Sequence, residues 1–123
     1  MKWLTWLGAL TGVLGGVLAT GPALAQAPAY VGTWASELSQ CNLDQSSQAA
    51  PLVLTATSYD QHEAHCKLGP VRRTRANVWR AAAVCLVEGS RQKDTFVLTV
   101  AGDELALRDG AGARLLRRCR RTR

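Results

Sequence analysis

Val78-Trp79-Arg80-Ala81-Ala82-Ala83-Val84-Cys85-Leu86-Val87 is the stretch whose reading decides the fold. Taken with a period of two, it sets Trp79, Ala81, Ala83, Cys85 and Val87 on one face and Val78, Arg80, Ala82, Val84 and Leu86 on the other. That is the pattern of a central strand with one well-buried side. The three alanines would also suit a helix, but the neighbouring sequence favours the strand. Downstream, residues 95–100 and 104–108 flank Ala101-Gly102-Asp103, and residues 113–118 follow Asp109-Gly110-Ala111-Gly112. These are two successive hairpins with glycine where positive φ is needed. The meander is expected to turn Phe96, Leu98, Val100, Leu105, Leu107 and Leu115 inward.

Upstream, Leu68-Gly69-Pro70 signals a turn, and residues 71–77 carry Arg72, Arg73 and Arg75, which belong at a surface or sheet edge where like charges stay hydrated. Residues 58–66 are expected to pair with the β-rich run 52–57, which Pro51 introduces. Residues 39–50 are Ser-, Gln-, Asn- and Asp-rich around Cys41 and form a loop. Tyr30-Val31-Gly32-Thr33-Trp34-Ala35 opens a first strand at residues 31–38 and supplies a large aromatic for the others to close around. Seven or eight short strands at turn-separated intervals fit a closed up-and-down barrel or a small sandwich, and closure alone removes both exposed edges. The expected fold is therefore all-β, a small antiparallel up-and-down β-barrel.

The first 25 residues have a basic start at Lys2, an apolar run over residues 3–19 and Ala23-Leu24-Ala25, which fits a small-x-small cleavage site. A signal peptide of residues 1–25 and a single domain of residues 26–123 are expected, with Ala27 as the second candidate cleavage site. A retained membrane anchor is the alternative, but Gly21-Pro22 breaks the run and no span is expected in the mature chain. Export places the protein in the periplasm or outside the cell. Cys41, Cys66, Cys85 and Cys119 all fall in the mature part, so two disulfides are expected in a domain whose core is small. No Cys-x-x-Cys is present, which speaks against thioredoxin-like and zinc-ribbon chemistry. Sequence leaves the three pairings of four cysteines open.

Gly32-Thr33-Trp34, then Cys41, Cys66 about two strands later, and the terminal meander resemble the small exported inhibitors of serralysin-type metalloproteases. That family has an eight-stranded, lipocalin-like barrel of the calycin type. The resemblance implies a bond from Cys41 to Cys66, with Cys85 joined to Cys119, and a protein partner in the bacterial envelope. The chain departs from the family in its short Gln26-Ala27-Pro28-Ala29 lead-in, its second cysteine pair and its Arg-rich end. It also resembles small exported proteins of Gram-negative bacteria that end in an Arg-Cys pair.

Catalytic equipment is sparse. His62-Glu63-Ala64-His65 is one residue short of the His-Glu-x-x-His spacing that puts both imidazoles on one helix face, and on a strand the two would point to opposite sides. No metal site and no cofactor are expected. There is no Gly-x-Ser-x-Gly elbow, the thiols are expected to be oxidised, and Asp103 and Glu104 sit in a hairpin turn that solvates them. The chain is not expected to be an enzyme. It carries 15 Lys and Arg against 9 Asp and Glu, a net charge of +6, and loss of the leader removes only Lys2. Two arginine groups are the candidate binding residues: Arg72, Arg73 and Arg75, and Arg117, Arg118, Arg120, Arg121 and Arg123 around Cys119. Neither contains an aromatic for base stacking, so specific nucleic-acid binding is not expected. Trp34 and Trp79 are assigned to the core. The expected function is that of a monomeric, inhibitor-like binding protein, with a barrel-mouth carrier of small ligands or attachment to anionic envelope polymers as alternatives.

Overall fold

The structure, a computed structural model, describes residues 26–120, together with residues 8, 12, 13 and 15–17. The expected signal peptide therefore falls almost wholly outside the described residues, as do Arg121 and Arg123. Nine strands follow in chain order: β1 Gly32–Ala35, β2 Leu52–Leu54, β3 Ser58–Gln61, β4 Ala64–Leu68, β5 Arg72–Arg75, β6 Val78–Val87, β7 Ser90–Ala101, β8 Glu104–Asp109 and β9 Gly112–Arg118. Every pairing is antiparallel, in the order β4-β3-β2-β1-β9-β8-β7-β6-β5, and a further pairing of β4 with β6 closes the ring. The result is an eight-position up-and-down barrel in which β4 and β5 share one place. Both lie along β6, with Leu68 opposite Ala83 and then Arg72 opposite Arg80.

Leu68-Gly69-Pro70 is thus an interruption within one edge and does not reverse the chain. The Gly69 N–H still donates to the Ala82 carbonyl at 2.7 Å, and a Cβ at Gly69 would come within 3.2 Å of that oxygen. The expected strand over 58–66 is instead a hairpin, broken at His62, whose φ of 49° starts the turn. Residues 36–37 leave the sheet and Leu38–Gln40 form a 3₁₀ turn, so β1 is half its expected length.

The interior is built as the period-two reading of β6 requires. Trp79, Ala81, Ala83 and Cys85 are buried among Trp34, Leu52, Leu54, Phe96, Leu98, Leu105 and Leu107. Tyr59 stacks on Phe96 with ring centres 4.9 Å apart, and Tyr30 meets Trp79 edge-on at 5.4 Å. One inner residue is corrected: Leu115 is 62% exposed and Leu116 fills the core. The register sets Leu105 opposite Leu116, and a slip of one residue exchanges every side chain of a strand between faces. Arg114 and Arg118 therefore share the inner face with Leu116, which works because each lies at an end of β9 where its guanidinium reaches polar partners.

The disulfides are Cys41–Cys119 and Cys66–Cys85, not the 41–66 and 85–119 pairing that the resemblance implied. Cys66 and Cys85 stand directly opposite each other on the inner face of β4 and β6. Cys119 continues β9 alongside β1, and its N–H donates to the Thr33 carbonyl at 2.8 Å, which brings it within reach of the loop holding Cys41. The two bridges span 78 and 19 residues, so chain entropy assigns about 4.5 kcal/mol to the longer and about 3 kcal/mol to the shorter. Non-reducing peptide mapping should recover these two pairs. In denaturant unfolding, Cys41→Ser with Cys119→Ser should cost more than Cys66→Ser with Cys85→Ser, and the opposite order would contradict this account.

Candidate functional site

Both ends of the barrel are crossed by inward-facing arginines. Where β9 meets β1, the Arg118 guanidinium lies 4.2 Å from the Trp34 ring centre. Its Nη1 donates to the Val31 carbonyl at 3.1 Å and its Nη2 to the Ala29 carbonyl at 2.6 Å. Trp34 Nε1 donates to the Tyr30 carbonyl at 2.9 Å, and the Tyr30 hydroxyl donates to the Ala56 carbonyl, so the lead-in is drawn across this end with the Tyr30 ring inside. At the other end, Arg114 donates from Nη2 to the Tyr59 hydroxyl at 2.8 Å and from Nη1 to Gln61 Oε1 at 3.1 Å. Burial lifts the Tyr59 phenol above its ordinary value of 10.0, and Arg114 draws it back in part.

The arginines singled out in the sequence separate into different roles. Arg118 is part of the closure just described. Arg120 pairs with Asp103 at 3.3 Å. Arg117 points outward into a cleft of about 530 Å³ beside the 3₁₀ turn, which also holds Asp103 and Glu104 and so carries both signs of charge. Arg73 sits over Trp79, 5.8 Å from the ring centre. Arg72 and Arg75 are exposed on β5, and three strands of the sheet separate them from Arg117, so the two groups do not form one patch.

A different constellation forms by register. The exposed even-numbered residues of β6 define the outer face, and their partners share it. Arg80 stands opposite Arg72 on one side and Val97 on the other, and Val97 in turn opposes Arg108. Val84 lies between Lys67 and Lys93, and Leu86 between His65 and Arg91. Six cations, Lys67, Arg72, Arg80, Arg91, Lys93 and Arg108, thus cover one continuous outer wall, and among the described residues none makes an ion pair with a carboxylate. The acids lie in turns or at the wall's margins: Glu63, Glu88 and Asp103 in turns, Glu104 at the start of β8 opposite Arg117, Asp94 beside Ala83 and, with Asp109, at a depression shared with Lys93 and Arg108, and Asp60 bound to His65 Nδ1 at 2.9 Å. Five of the six were not singled out in the sequence, because none belongs to a run of adjacent arginines. The signal that would have found them is their shared parity with Arg80 once neighbouring strands are aligned.

His62 and His65 do not converge on a site. The first lies in the hairpin turn with its Nδ1 2.9 Å from the Gln45 carbonyl, and among the described residues no three metal-capable side chains gather. Among those residues, too, no helix is long and apolar enough to cross a membrane. The charged wall is also unlike the apolar band of a membrane-spanning barrel. The fold and this wall define a disulfide-stapled, closed up-and-down β-barrel with a basic outer face. No protein-family model, curated protein or solved structure matches the chain.

The inner and outer arginines should respond differently to mutation. Arg118→Leu removes a ring contact and two charge-assisted hydrogen bonds and should lower unfolding free energy by about 2–3 kcal/mol. Arg117→Ala, next to it but outward, should stay within about 0.5 kcal/mol, and equal effects would contradict the assignment. For Tyr59, a folded-state value raised above the unfolded one means that stability is complete below pH about 10 and lost as pH climbs through the folded value. The denaturation midpoint should therefore fall at alkaline pH, and fall less steeply in Tyr59→Phe.

Proposed function

We propose that the protein is a non-enzymatic binding module of the cell envelope that engages an anionic partner through the outer wall of β4 to β8. The observation that carries this reading is the concentration of unpaired cations on one sheet face. Arg72 and Arg80 are directly opposed, and like charges in that position destabilise a sheet by a few tenths of a kcal/mol. Such a cost is offset when phosphate or carboxylate groups sit between the guanidinium groups, which bind these anions through two parallel hydrogen bonds.

The alternatives have less support in the geometry. A ligand carrier needs an open mouth, whereas Trp34, Tyr59, Trp79 and Phe96 occupy the interior and arginines cross both ends. An inhibitor that threads a free N-terminus into a protease needs a loose lead-in, whereas Arg118 holds the Ala29 and Val31 carbonyls and the Val31 N–H donates to the Pro28 carbonyl at 3.0 Å. Two disulfides belong to an oxidising compartment, where anionic envelope polymers and lipids are within reach.

Inorganic polyphosphate is a suitable probe for the purified, oxidised protein. Binding should weaken steeply as salt rises from low to physiological strength, because exposed charges are screened over about 8 Å there. Charge reversal by Arg80→Glu with Lys93→Glu should reduce affinity roughly tenfold or more, and Arg80→Glu alone should raise stability slightly by pairing with Arg72. Salt-independent binding, or unchanged affinity in the double variant, would overturn the proposal.

A further inference from the structure

The basic wall is not uniformly polar. At its centre Val84 and Leu86 are 37% and 51% exposed, stand two residues apart on the same face of β6, and each is flanked across the sheet by a cation or imidazole: Lys67 and Lys93 beside Val84, His65 and Arg91 beside Leu86. Val97, half-buried, extends the apolar strip toward the Arg72–Arg80 end. A cleft of about 450 Å³ runs along Val84 and Leu86 between Lys67 and Arg91, and Asp60, paired with His65, also lines it. Building on the proposed function, we infer that this face docks on an anionic phospholipid surface, with Val84 and Leu86 at the interface and the surrounding cations on headgroup phosphates.

The face carries two complementary features, a row of cations and an aliphatic strip between them. A hydrophilic polyanion would satisfy the six cations but would gain nothing from two exposed aliphatic side chains at their centre. A bilayer interface satisfies both, since peripheral attachment combines buried apolar area with attraction of Lys and Arg to anionic headgroups. The flexible stems of Lys67, Lys93 and Arg91 can lie along the aliphatic strip while their charges reach outward. No carboxylate occupies an outward position of β4 to β7 among the described residues, and the one that lines the cleft, Asp60 of β3, is paired with His65. The Cys66–Cys85 bridge behind the strip fixes β4 against β6 and keeps the apolar and cationic rows in register.

Flotation of the intact, oxidised protein with vesicles tests this inference. It should bind vesicles of equimolar phosphatidylglycerol and phosphatidylcholine and not vesicles of phosphatidylcholine alone. Val84→Ser with Leu86→Ser, at exposed positions where folding can be checked by the denaturation midpoint, should weaken vesicle binding roughly tenfold and leave polyphosphate binding unchanged. Vesicle binding unaffected by the serines, or equal binding to neutral vesicles, overturns the lipid assignment. Binding to polyphosphate without binding to anionic vesicles also overturns it while leaving the basic-wall reading intact. Failure to bind either removes both.

Discussion

The contact between Arg118 and Trp34 closes the barrel. β1 and β9 share two register pairs, Trp34 with Arg118 and Ala35 with Arg117, extended by the Cys119 N–H to the Thr33 carbonyl, so the seam is short. Stacking the guanidinium on the indole puts a cation against an aromatic face and leaves its N–H groups free to take the Ala29 and Val31 carbonyls. The same side chain thereby joins the last strand, the first strand and the segment before it. Tyr30, set in place by that segment, fills the space beside Trp79. Without Arg118 the lead-in would keep the Trp34–Tyr30 and Tyr30–Ala56 hydrogen bonds but lose its tie to β9, and the short β1–β9 seam would lose a side-chain contact. Cys41–Cys119 covers the same seam from outside, one residue beyond Arg118.

Strand parity divides the positive charge between two duties. On β9, Arg114 and Arg118 share the inner face with Leu116 and span the two ends, while Arg117 faces out. On β4 to β8 the cations that parity turns outward find no acid opposite them. The nine carboxylates of the chain could have neutralised that wall and instead occupy turns, loops and strand ends or, as Asp60 and Asp94 do, bind His65 and the Gly110 and Thr95 N–H groups. A surface arranged only for solubility gains from mixing the two signs. Segregation concentrates the field on one side, which is useful for attracting an anion.

Much of the fold was legible in the sequence. The alternation in residues 78–87 fixed an inner face that the structure reproduces from Trp79 to Cys85, with Val87 half-buried and Val78 also buried, and Gly102, with φ of 59°, sits in the hairpin where its sequence placed it. What escaped were features that depend on register. The cysteine pairing needs Cys66 opposite Cys85, which follows only once β4 is known to lie along β6 on the far side of Gly69-Pro70. The Leu115 and Leu116 exchange arose because two adjacent leucines give no parity signal and either choice turns arginine inward, Arg117 with Leu115 or Arg114 and Arg118 with Leu116. The arginine-dense segments attracted attention as binding residues, yet Arg118 is structural and Arg120 is paired with an acid. Most of the wall is built from cations that lie outside the arginine-dense segments and are gathered from β4 to β8 only by the sheet.

Register also links the disulfide frame to the wall. Cys66 and Cys85 point inward between two outward pairs, His65 with Leu86 and Lys67 with Val84. A slip of one residue between β4 and β6 would move Lys67 into the core and Cys66 to the surface, and like charges on the wall do nothing to resist it. The cost of burying Lys67 already opposes such a slip, although Ala81 and Ala83 give this part of β6 few large inner side chains. A covalent bond between directly opposed residues removes the alternative registers. Oxidation therefore reinforces the register that the buried face already favours, and helps keep His65 and Lys67 on the outer wall.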